Sequence, residues 1–318
     1  MNEFIAYLQS KNHSQATQKE YLRNVNLFLN WYKVEPINCQ KKDILNYLEH
    51  LQTHKKQENA TRNNTLIALK HYFAFLHKTE QISQNPCLFL KLYGTKKRHL
   101  YKIYTTGELE QLYDDFYHTF IRNFNDNHNL SRPFGIPQNQ EQQAFLSRQR
   151  NYVMFGILVF QGLATNELQK ITLDDIDLNK AKITIQGSKK SNPRTLNLNA
   201  SQIGFLINYI ENIRPKFFKY CNPTQKLFFI LPQISKTKTS SENLKNVFIG
   251  LKKQVGSIDQ KFLQFMQIRA SVITVWIKTT GLRKAQYLAG HKSITATEKY
   301  VINNLENLTQ DLTKFNPF

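Results

Sequence analysis

The chain has 318 residues, which is enough for two domains of ordinary size, each with its own hydrophobic core. Hydrophobic residues make up 41% and aromatic residues 12% of the sequence, a composition that excludes wholesale disorder. The 43 Lys and Arg residues outnumber the 23 Asp and Glu residues, and the resulting net charge of +20 favours a polyanionic partner, most commonly nucleic acid. A solvated basic surface without such a partner is the alternative interpretation.

The sequence also argues against a membrane or secreted setting. Its longest apolar run, at 152–160, is about half as long as a membrane span requires, and we expect no secretory signal. The three cysteines, Cys39, Cys87 and Cys221, are odd in number and far apart, which argues against a disulfide framework and a structural zinc site. We therefore predict a cytoplasmic protein with no membrane partner.

Residues 1–94 are predicted to be wholly helical. Apolar residues recur at helical spacing from a cap at Ser14 onward, and a second apolar stripe occupies 66–76. Basic residues such as Arg62 and Lys70 flank this stripe. The pattern predicts a small helical bundle with one cationic side.

A linker is predicted at 95–103, where Gly94 is followed by a basic cluster. The cluster consists of Lys96, Lys97 and Arg98. A new helix is predicted to begin at Thr106. Residues 122–147 are polar and contain two prolines, so we expect a long surface insertion there.

The middle of the chain predicts two helices and a β-hairpin. An apolar helix ends near Gly162, and a short helix follows it with Thr165 as the expected cap. The segments AKITIQG and RTLNL alternate apolar and polar residues on either side of a polar turn, which predicts an antiparallel hairpin tipped by Lys189 and Lys190. Further helices are expected at 202–213, 240–254, 262–278 and 283–289.

The segment AGHKSITATEKY near the C-terminus combines a helix end with a helix start. Gly290 suits the left-handed turn that ends a helix. Thr295 and Glu298 have the spacing of a capping box, so a new helix should start there and carry Tyr300 on its second turn. His291 falls between the two helices, and such a turn can aim an imidazole and a phenol at the same space. Taken alone, the His is equally well a helix cap and the Tyr a packing residue.

Several segments, in order along the chain, resemble the tyrosine recombinases, the phage integrase family. AGHKSITATEKY resembles the family's C-terminal signature, in which a nucleophilic Tyr follows the His after nine positions. QGLATNELQKITLDDIDL resembles the segment that carries the family's first catalytic Arg, and ITIQGSKKSNPRTLNL resembles its lysine-bearing hairpin. FMQIRASVITVWIKTTGL resembles the segment with the His-x-x-Arg motif, and the N-terminal helices resemble the core-binding domain. The shared order makes the resemblance specific.

The resemblance implies DNA strand exchange through a covalent intermediate, without a metal or other cofactor. Tyr300 would attack the scissile phosphate and leave a 3′-phosphotyrosyl link and a free 5′-hydroxyl, so rejoining needs no ATP. Arg269 would clamp the non-bridging oxygens, and His291 would donate a hydrogen bond to them. A hairpin lysine would protonate the leaving oxygen. We assign this role to Lys189, which requires a one-residue shift in the alignment, with Lys190 as second choice.

The sequence departs from the family pattern at two phosphate-contacting positions. Ala164 stands where the family has its first Arg, and Met266 where it has the His of His-x-x-Arg. One lost transition-state donor commonly costs roughly 10²–10³ in rate, so other cations would have to substitute, and Lys170, Arg148 and Arg150 are nearest in sequence. Because certain integrases of mobile elements lack the first Arg and still recombine, an active enzyme is our leading hypothesis. A catalytically impaired pseudo-recombinase, binding DNA as an accessory or architectural protein, is the alternative.

The resemblance also implies the fold and the partners. We expect a mainly α protein whose two domains clamp double-stranded DNA. A helical, SAM-like core-binding domain would span 1–94, and a mostly helical catalytic domain with a small antiparallel β-sheet would span 104–318. The family works as a tetramer on paired DNA sites, with a C-terminal segment docked into a neighbour. The candidate docking face here consists of Leu305, Leu308, Leu312 and Phe315, and the alternative is that this face packs back on its own domain.

The family setting adds expectations about context. The gene would belong to a bacterial mobile element, and the protein would associate with the nucleoid. A partner recombinase or an accessory DNA-bending protein would complete the reaction. Basic residues outside the catalytic set are expected to contact DNA, mostly at phosphates. They are Lys190, Arg194, Lys96, Lys97, Arg98, Arg62, Lys70 and Lys292.

Two groups of metal-ligand residue types are interpreted as structural. His50 and His54 have the spacing of a helical metal site but lack a third ligand, so we expect a solvated face. Asp174, Asp175 and Asp177 are expected to cap the preceding helix and lead into the hairpin.

Overall fold

The computed structural model describes residues 1–94, 102–122, 138–230 and 244–301. The chain divides into two compact units, Met1–His99 and Leu100–Phe318. Both units are mainly helical, and the described part of the second contains a small antiparallel sheet. This confirms the predicted fold class. Within the described ranges, no helix is both long and apolar enough to cross a membrane.

The described part of the first unit is a bundle built around its last helix. The helices are α1 (Asn2–Ser10), α2 (Gln15–Tyr32), α3 (Lys41–Thr53) and α4 (Asn59–Lys78). Helix α4 packs against the other three, and its buried face continues the apolar stripe read from the sequence. Ser14 caps α2 as predicted, because its hydroxyl accepts a hydrogen bond from the Thr17 N–H at 3.2 Å.

The position of Arg62 corrects a prediction. Arg62 is only 6% exposed, so it does not lie on a cationic outer side of the bundle. Its guanidinium donates to the Leu48 carbonyl at 3.1 Å and to Asn59 Oδ1 at 2.5 Å, which ties α4 to α3. The reason is helical periodicity: position 62 shares one face with the buried Leu66 and Leu69. Lys70, on the same helix, is half-buried.

The described part of the second unit is arranged around a long central helix, α6. Its helices are α5 (Thr106–Tyr117), α6 (Gln138–Gln161), α7 (Thr165–Leu168), α8 (Ala200–Asn208), α9 (Arg214–Phe217), α10 (Lys245–Ile258), α11 (Phe265–Thr280), α12 (Leu282–Ala289) and α13 (Ile294–Val301). Helix α5 continues into a π-helical turn at His118–Arg122, and a second π turn, Tyr209–Ile213, joins α8 to α9. Aromatic and aliphatic side chains from nearly all of these helices form one core.

Two helix boundaries differ from the predictions. Helix α6 starts at Gln138, so part of the predicted surface insertion is helical. The segment QNQEQQAFLS has good helix propensity, it follows Pro137, and its Leu146 is fully buried. The expected cap Thr165 is instead the first residue of α7, and Ala164 precedes the helix.

The predicted β-hairpin is present, with one short strand added. Strands β1 (Ile176–Asp177), β2 (Lys182–Ile185) and β3 (Arg194–Asn197) pair antiparallel in that order. Alternate residues of β2 and β3 are buried, and Ile185 lies opposite Arg194. Arg194 therefore occupies an inward position of the sheet.

The aspartates before the sheet do not cap the preceding helix as predicted, because Asp175 instead caps the 3-10 turn Leu173–Asp175 and Asp177 accepts from the Lys180 N–H at 2.9 Å. Asp175 Oδ2 accepts hydrogen bonds from the N–H and the hydroxyl of Thr172, both at 2.9 Å. Its Oδ1 accepts a hydrogen bond from the Gln186 side chain at 2.8 Å, which joins the turn to the hairpin.

Helix α12 ends as the sequence predicts. Gly290 adopts a left-handed conformation with φ +71°. Helix α13 begins at Ile294, one residue before the predicted start, and the Ser293 hydroxyl accepts a hydrogen bond from the Thr295 N–H at 3.3 Å. The basic cluster at 96–98 and the docking face predicted at 305–315 lie outside the described residues.

Candidate active site

Three consecutive helices bring the predicted nucleophile, imidazole and guanidinium together. Arg269 lies on α11, His291 follows the end of α12, and Tyr300 lies on α13. The rings of His291 and Tyr300 stack with centroids 5.7 Å apart and planes 9° from parallel. Burial and the nearby charge of Arg194 lower the pKa of Arg269 below its ordinary value, although Glu167 and the neighbouring Tyr300 act to raise it. The side chains of Arg269, His291 and Tyr300 thus share one small region.

Arg269 is held from several sides by the second unit. Its Nη1 donates to the Gly162 carbonyl at 2.7 Å and to Glu167 Oε2 at 3.2 Å, and its Nη2 donates to the Ala289 carbonyl at 2.8 Å. These bonds use three of the five guanidinium N–H groups. The side chain is 8% exposed, and it lines a cavity that is also lined by His291.

Glu167 is the carboxylate at the centre of this arrangement. It accepts a hydrogen bond from the Ala164 N–H at 3.0 Å as well as bonds from Arg194 and Arg269. Burial acts to raise the pKa of Glu167, but the two arginines and this N–H outweigh it, and the pKa lies below the ordinary value. Glu167 is therefore an ionised, buried carboxylate shared by two guanidinium groups.

The position of Arg194 corrects a second prediction. Its side chain is 0% exposed and forms a bidentate pair with Glu167, Nη1 to Oε1 at 2.8 Å and Nη2 to Oε2 at 3.0 Å. As an inward residue of β3 it has no surface to offer to a DNA backbone. The alternation of the strand carried this signal, because Arg194 shares its face with Leu196.

His291 is fixed by a residue that the sequence analysis missed. Its Nδ1 lies 2.9 Å from the hydroxyl of Thr297, which is fully buried. Burial, followed by the positive charges of Arg269 and Arg194, lowers the pKa of His291 to about 4, so the ring is neutral at pH 7. The signal for Thr297 was available, since it lies three positions before Tyr300 and hence on the same helix face.

The tip of the hairpin contacts the turn that carries His291. The Asn192 N–H donates to the Gly290 carbonyl at 2.9 Å, and Ser191 forms a β-bridge with His291. A cavity of ≈ 150 Å³ beside this contact is lined by Lys170, Lys190, Arg269 and His291, among others. Lys189, our first choice among the hairpin lysines, does not line it.

The other predicted cations lie in different settings. Arg150 is buried, and its Nη1 donates to the Phe229 carbonyl at 2.9 Å, so it serves the core instead of the site. Arg148 is half-buried on α6. Lys292, which follows His291 in the chain, is exposed. Of the three cations considered as substitutes for the first Arg, only Lys170 lines the cavity.

Both departures from the family pattern face one further cavity. Ala164 and Met266 line a space of ≈ 460 Å³ on another side of Arg269. Lys252 of α10, which no motif in the sequence marks, also lines this space. The two uncharged side chains leave this side of Arg269 without the donors that the family pattern leads one to expect.

Two family models match most of this chain. A model described as "Phage integrase, N-terminal SAM-like domain" matches residues 1–82, and one described as "Phage integrase family" matches residues 138–306, more than half of the chain. The protein belongs to the phage integrase family, the tyrosine recombinases. It resembles the tyrosine recombinase XerD of Listeria innocua, with 22% identity over 307 residues that cover 94% of this chain and 92% of the relative.

Solved structures show the same recombinase fold. XerH site-specific recombinase bound to a palindromic difH substrate, in a post-cleavage complex, aligns with a TM-score of 0.65 and 17% identity, covering 96% of this chain and 82% of that one. The Tn1549 transposon integrase in complex with a circular intermediate DNA aligns with a TM-score of 0.62 and 16% identity, covering 94% and 93%. At these identities the likeness concerns the fold.

Proposed function

We propose that this tyrosine recombinase is an active site-specific integrase of a mobile element, which cuts and rejoins double-stranded DNA through a covalent link to Tyr300. The observation that carries the proposal is the stacking of the Tyr300 ring on His291, with ring centroids 5.7 Å apart, beside the buried guanidinium of Arg269. A tyrosine that only packed a helix would not need a buried guanidinium and a neutral imidazole as neighbours.

The proposed cleavage step exchanges one phosphodiester for another. The Tyr300 oxygen forms a bond to the scissile phosphorus and releases its proton to solvent, and the bond from phosphorus to the 5′-oxygen breaks. Negative charge accumulates on the non-bridging oxygens in the transition state. Arg269, with two N–H groups outside its three bonds to Gly162, Glu167 and Ala289, stabilises that charge.

A lysine of the hairpin tip supplies the proton for the leaving 5′-oxygen. We assign this role to Lys190 instead of Lys189, because Lys190 lines the cavity that also contains Arg269 and His291. A general acid must come within hydrogen-bond reach of the leaving atom. Lys170, in the connection between α7 and β1, lines the same cavity and is the second candidate for the proton donor.

Thr297 sets the tautomer of His291 in this proposal. We assign the Thr297 hydroxyl, 2.9 Å from Nδ1, as the donor to the neutral ring, which leaves the imidazole proton on Nε2. The Nε2–H is then a donor for a non-bridging oxygen of the phosphate. Thr297→Val, which keeps the shape and removes the hydroxyl, is expected to slow cleavage without weakening DNA binding.

A pseudo-recombinase remains the second candidate, and the cavity lined by Ala164 and Met266 favours it. That space lies beside Arg269 and lacks the two charged or polar side chains that the family pattern places there. Such a protein would bind DNA specifically and serve as an accessory or architectural factor, with a partner recombinase supplying the chemistry.

A nicked substrate made from the DNA that flanks the gene distinguishes the two functions. Cleavage next to a nick releases a short fragment and traps the covalent intermediate. The active enzyme yields a protein–DNA adduct that Tyr300→Phe abolishes while retaining DNA affinity. Tight and specific binding by the wild-type protein with no adduct would favour the pseudo-recombinase.

Assembly on DNA is part of the same proposal. We propose that four copies act on two paired DNA sites and that an accessory DNA-bending protein or a partner recombinase takes part. Sedimentation of the protein with and without paired sites tests this, because a tetramer that forms only with DNA is the expected result.

A further inference from the structure

Arg194 is a buried cation in the part of the second unit that forms the candidate active site. It lies at the start of β3, its side chain is 0% exposed, and both of its terminal nitrogens bond to the carboxylate of Glu167. A buried charge is stable only when it is paired and hydrogen-bonded. The burial of the Arg194 charge therefore requires the carboxylate of Glu167. Glu167 also contacts Arg269, so it links Arg194 to the other residues of the site.

Glu167 also bonds to Arg269, the residue proposed to hold the scissile phosphate. The distance from Arg269 Nη1 to Glu167 Oε2 is 3.2 Å, and that oxygen is the one that accepts from Arg194 Nη2 at 3.0 Å. Two guanidinium groups and one carboxylate leave a net charge of +1. Without Arg194, the carboxylate would neutralise Arg269 and compete with a phosphate for it.

The guanidinium of Arg194 is also close to the turn that carries His291. A Cβ built on Gly290 would come within 2.5 Å of Arg194 Nη1, so only a glycine fits there. The positive charge of Arg194 contributes to the lowered pKa of His291. Arg194 therefore acts on both the guanidinium and the imidazole of the site, although it does not line the cavity between them.

We propose that Arg194 is a positioning residue that neutralises Glu167 and thereby leaves the charge of Arg269 available for a phosphate. This inference rests on the proposed function for its biological meaning, and it assigns Arg194 a role without DNA contact. Position 164 is an alanine that gives Glu167 only a backbone N–H. The second cation of the site thus comes from the hairpin strand β3.

The test is a charge cycle on the whole protein, read by binding of inorganic vanadate as a phosphate analogue. Arg269→Gln identifies the part of vanadate binding that belongs to this site, because other basic residues also bind anions. Arg194→Gln is expected to weaken that part at least about tenfold. The double variant Arg194→Gln with Glu167→Gln is expected to restore it, since no carboxylate remains to neutralise Arg269. Arg194→Lys, which keeps the charge, should retain most of the binding.

Each alternative result overturns the inference. A purely structural role predicts that the double variant binds no better than Arg194→Gln, with thermal melts showing that both are folded. Unchanged binding in Arg194→Gln, or no vanadate binding that depends on Arg269, also contradicts it. The proposed DNA cleavage is assayed separately by adduct formation. A normal charge cycle with no adduct would reject the proposed activity and keep the role of Arg194.

Discussion

At the scale of single residues, the site is a set of buried charges arranged around Glu167. This carboxylate accepts hydrogen bonds from Arg194 and Arg269, which in turn lie next to the neutral His291. Tyr300 adjoins this arrangement through its ring and its phenol. The surface lysine Lys190 approaches from the hairpin. Glu167 and the two arginines thus affect one another's charge, and the charges of the arginines lower the pKa of His291.

Replacing Lys190 with Ala is expected to slow cleavage by about 10²-fold or more, in the range of a lost general acid. A substrate with sulfur in place of the scissile 5′-oxygen should restore cleavage, because a thiolate leaves without being protonated. Lys189→Ala is the matched control and should cleave both substrates normally. Loss of activity in Lys189→Ala with thiol rescue would instead restore our first assignment, and rescue of Lys170→Ala would point to that residue.

The depressed pKa of His291 predicts a pH-dependent stability of the DNA-free protein. Its folded pKa of about 4 lies below the ordinary value, so the unfolded chain binds more protons between these two values. The contribution of His291 to the free energy of unfolding is therefore complete above about pH 6.5. It decreases as the pH falls towards 4. In thermal melts, His291→Gln should lose less stability than the wild type over this range. Identical pH profiles would contradict the burial of a neutral ring.

At the scale of elements, local sequence patterns predicted most helices and the hairpin, because periodicity and caps are local properties. Ser14, Gly290 and the alternation of β2 and β3 all function as their residue types suggest. The two-residue strand β1 was missed because so short a strand has no periodicity. The start of α6 was missed because polar composition was given more weight than helix propensity.

The same comparison explains which site residues could be predicted. Arg269, His291 and Tyr300 follow from motif spacing, which fixes their place in the family fold. Arg62 and Arg194 were assigned to the surface because charge was considered without the direction of the side chain. The choice between the two hairpin lysines depends on how the turn packs, which is a tertiary property that spacing cannot supply.

The connection between α12 and α13 provides a prediction at the element scale. Gly290→Ala is expected to destabilise the protein by about 1–3 kcal/mol, since φ is +71° and the new Cβ would meet Arg194. Gly204→Ala, within α8 and with open space around it, is the control. It should be neutral or stabilising by up to about 1 kcal/mol. Equal effects in a urea titration would contradict the described packing at Gly290.

At the scale of the whole molecule, the net charge of +20 predicts DNA binding that depends strongly on salt. Affinity for site DNA should fall by about 10³-fold or more between 50 and 200 mM salt, as for a protein with several phosphate contacts. Lys292→Ala should reduce the slope of log affinity against log salt by about one. Arg62→Met, at a buried position, should leave the slope unchanged. A change in slope for Arg62→Met would show that our correction of its position is wrong.

The central claim is that Tyr300 becomes covalently bound to DNA, and mass spectrometry of the trapped adduct tests it most directly. Wild-type protein is incubated with nicked DNA from the gene's flanks, the DNA is trimmed with nuclease, and the tryptic peptides are sequenced. We predict a nucleotide attached through its 3′-phosphate to the phenol of Tyr300 and to none of the other tyrosines. An adduct on a different residue would contradict the assigned nucleophile, and specific binding without any adduct would contradict catalysis by this chain.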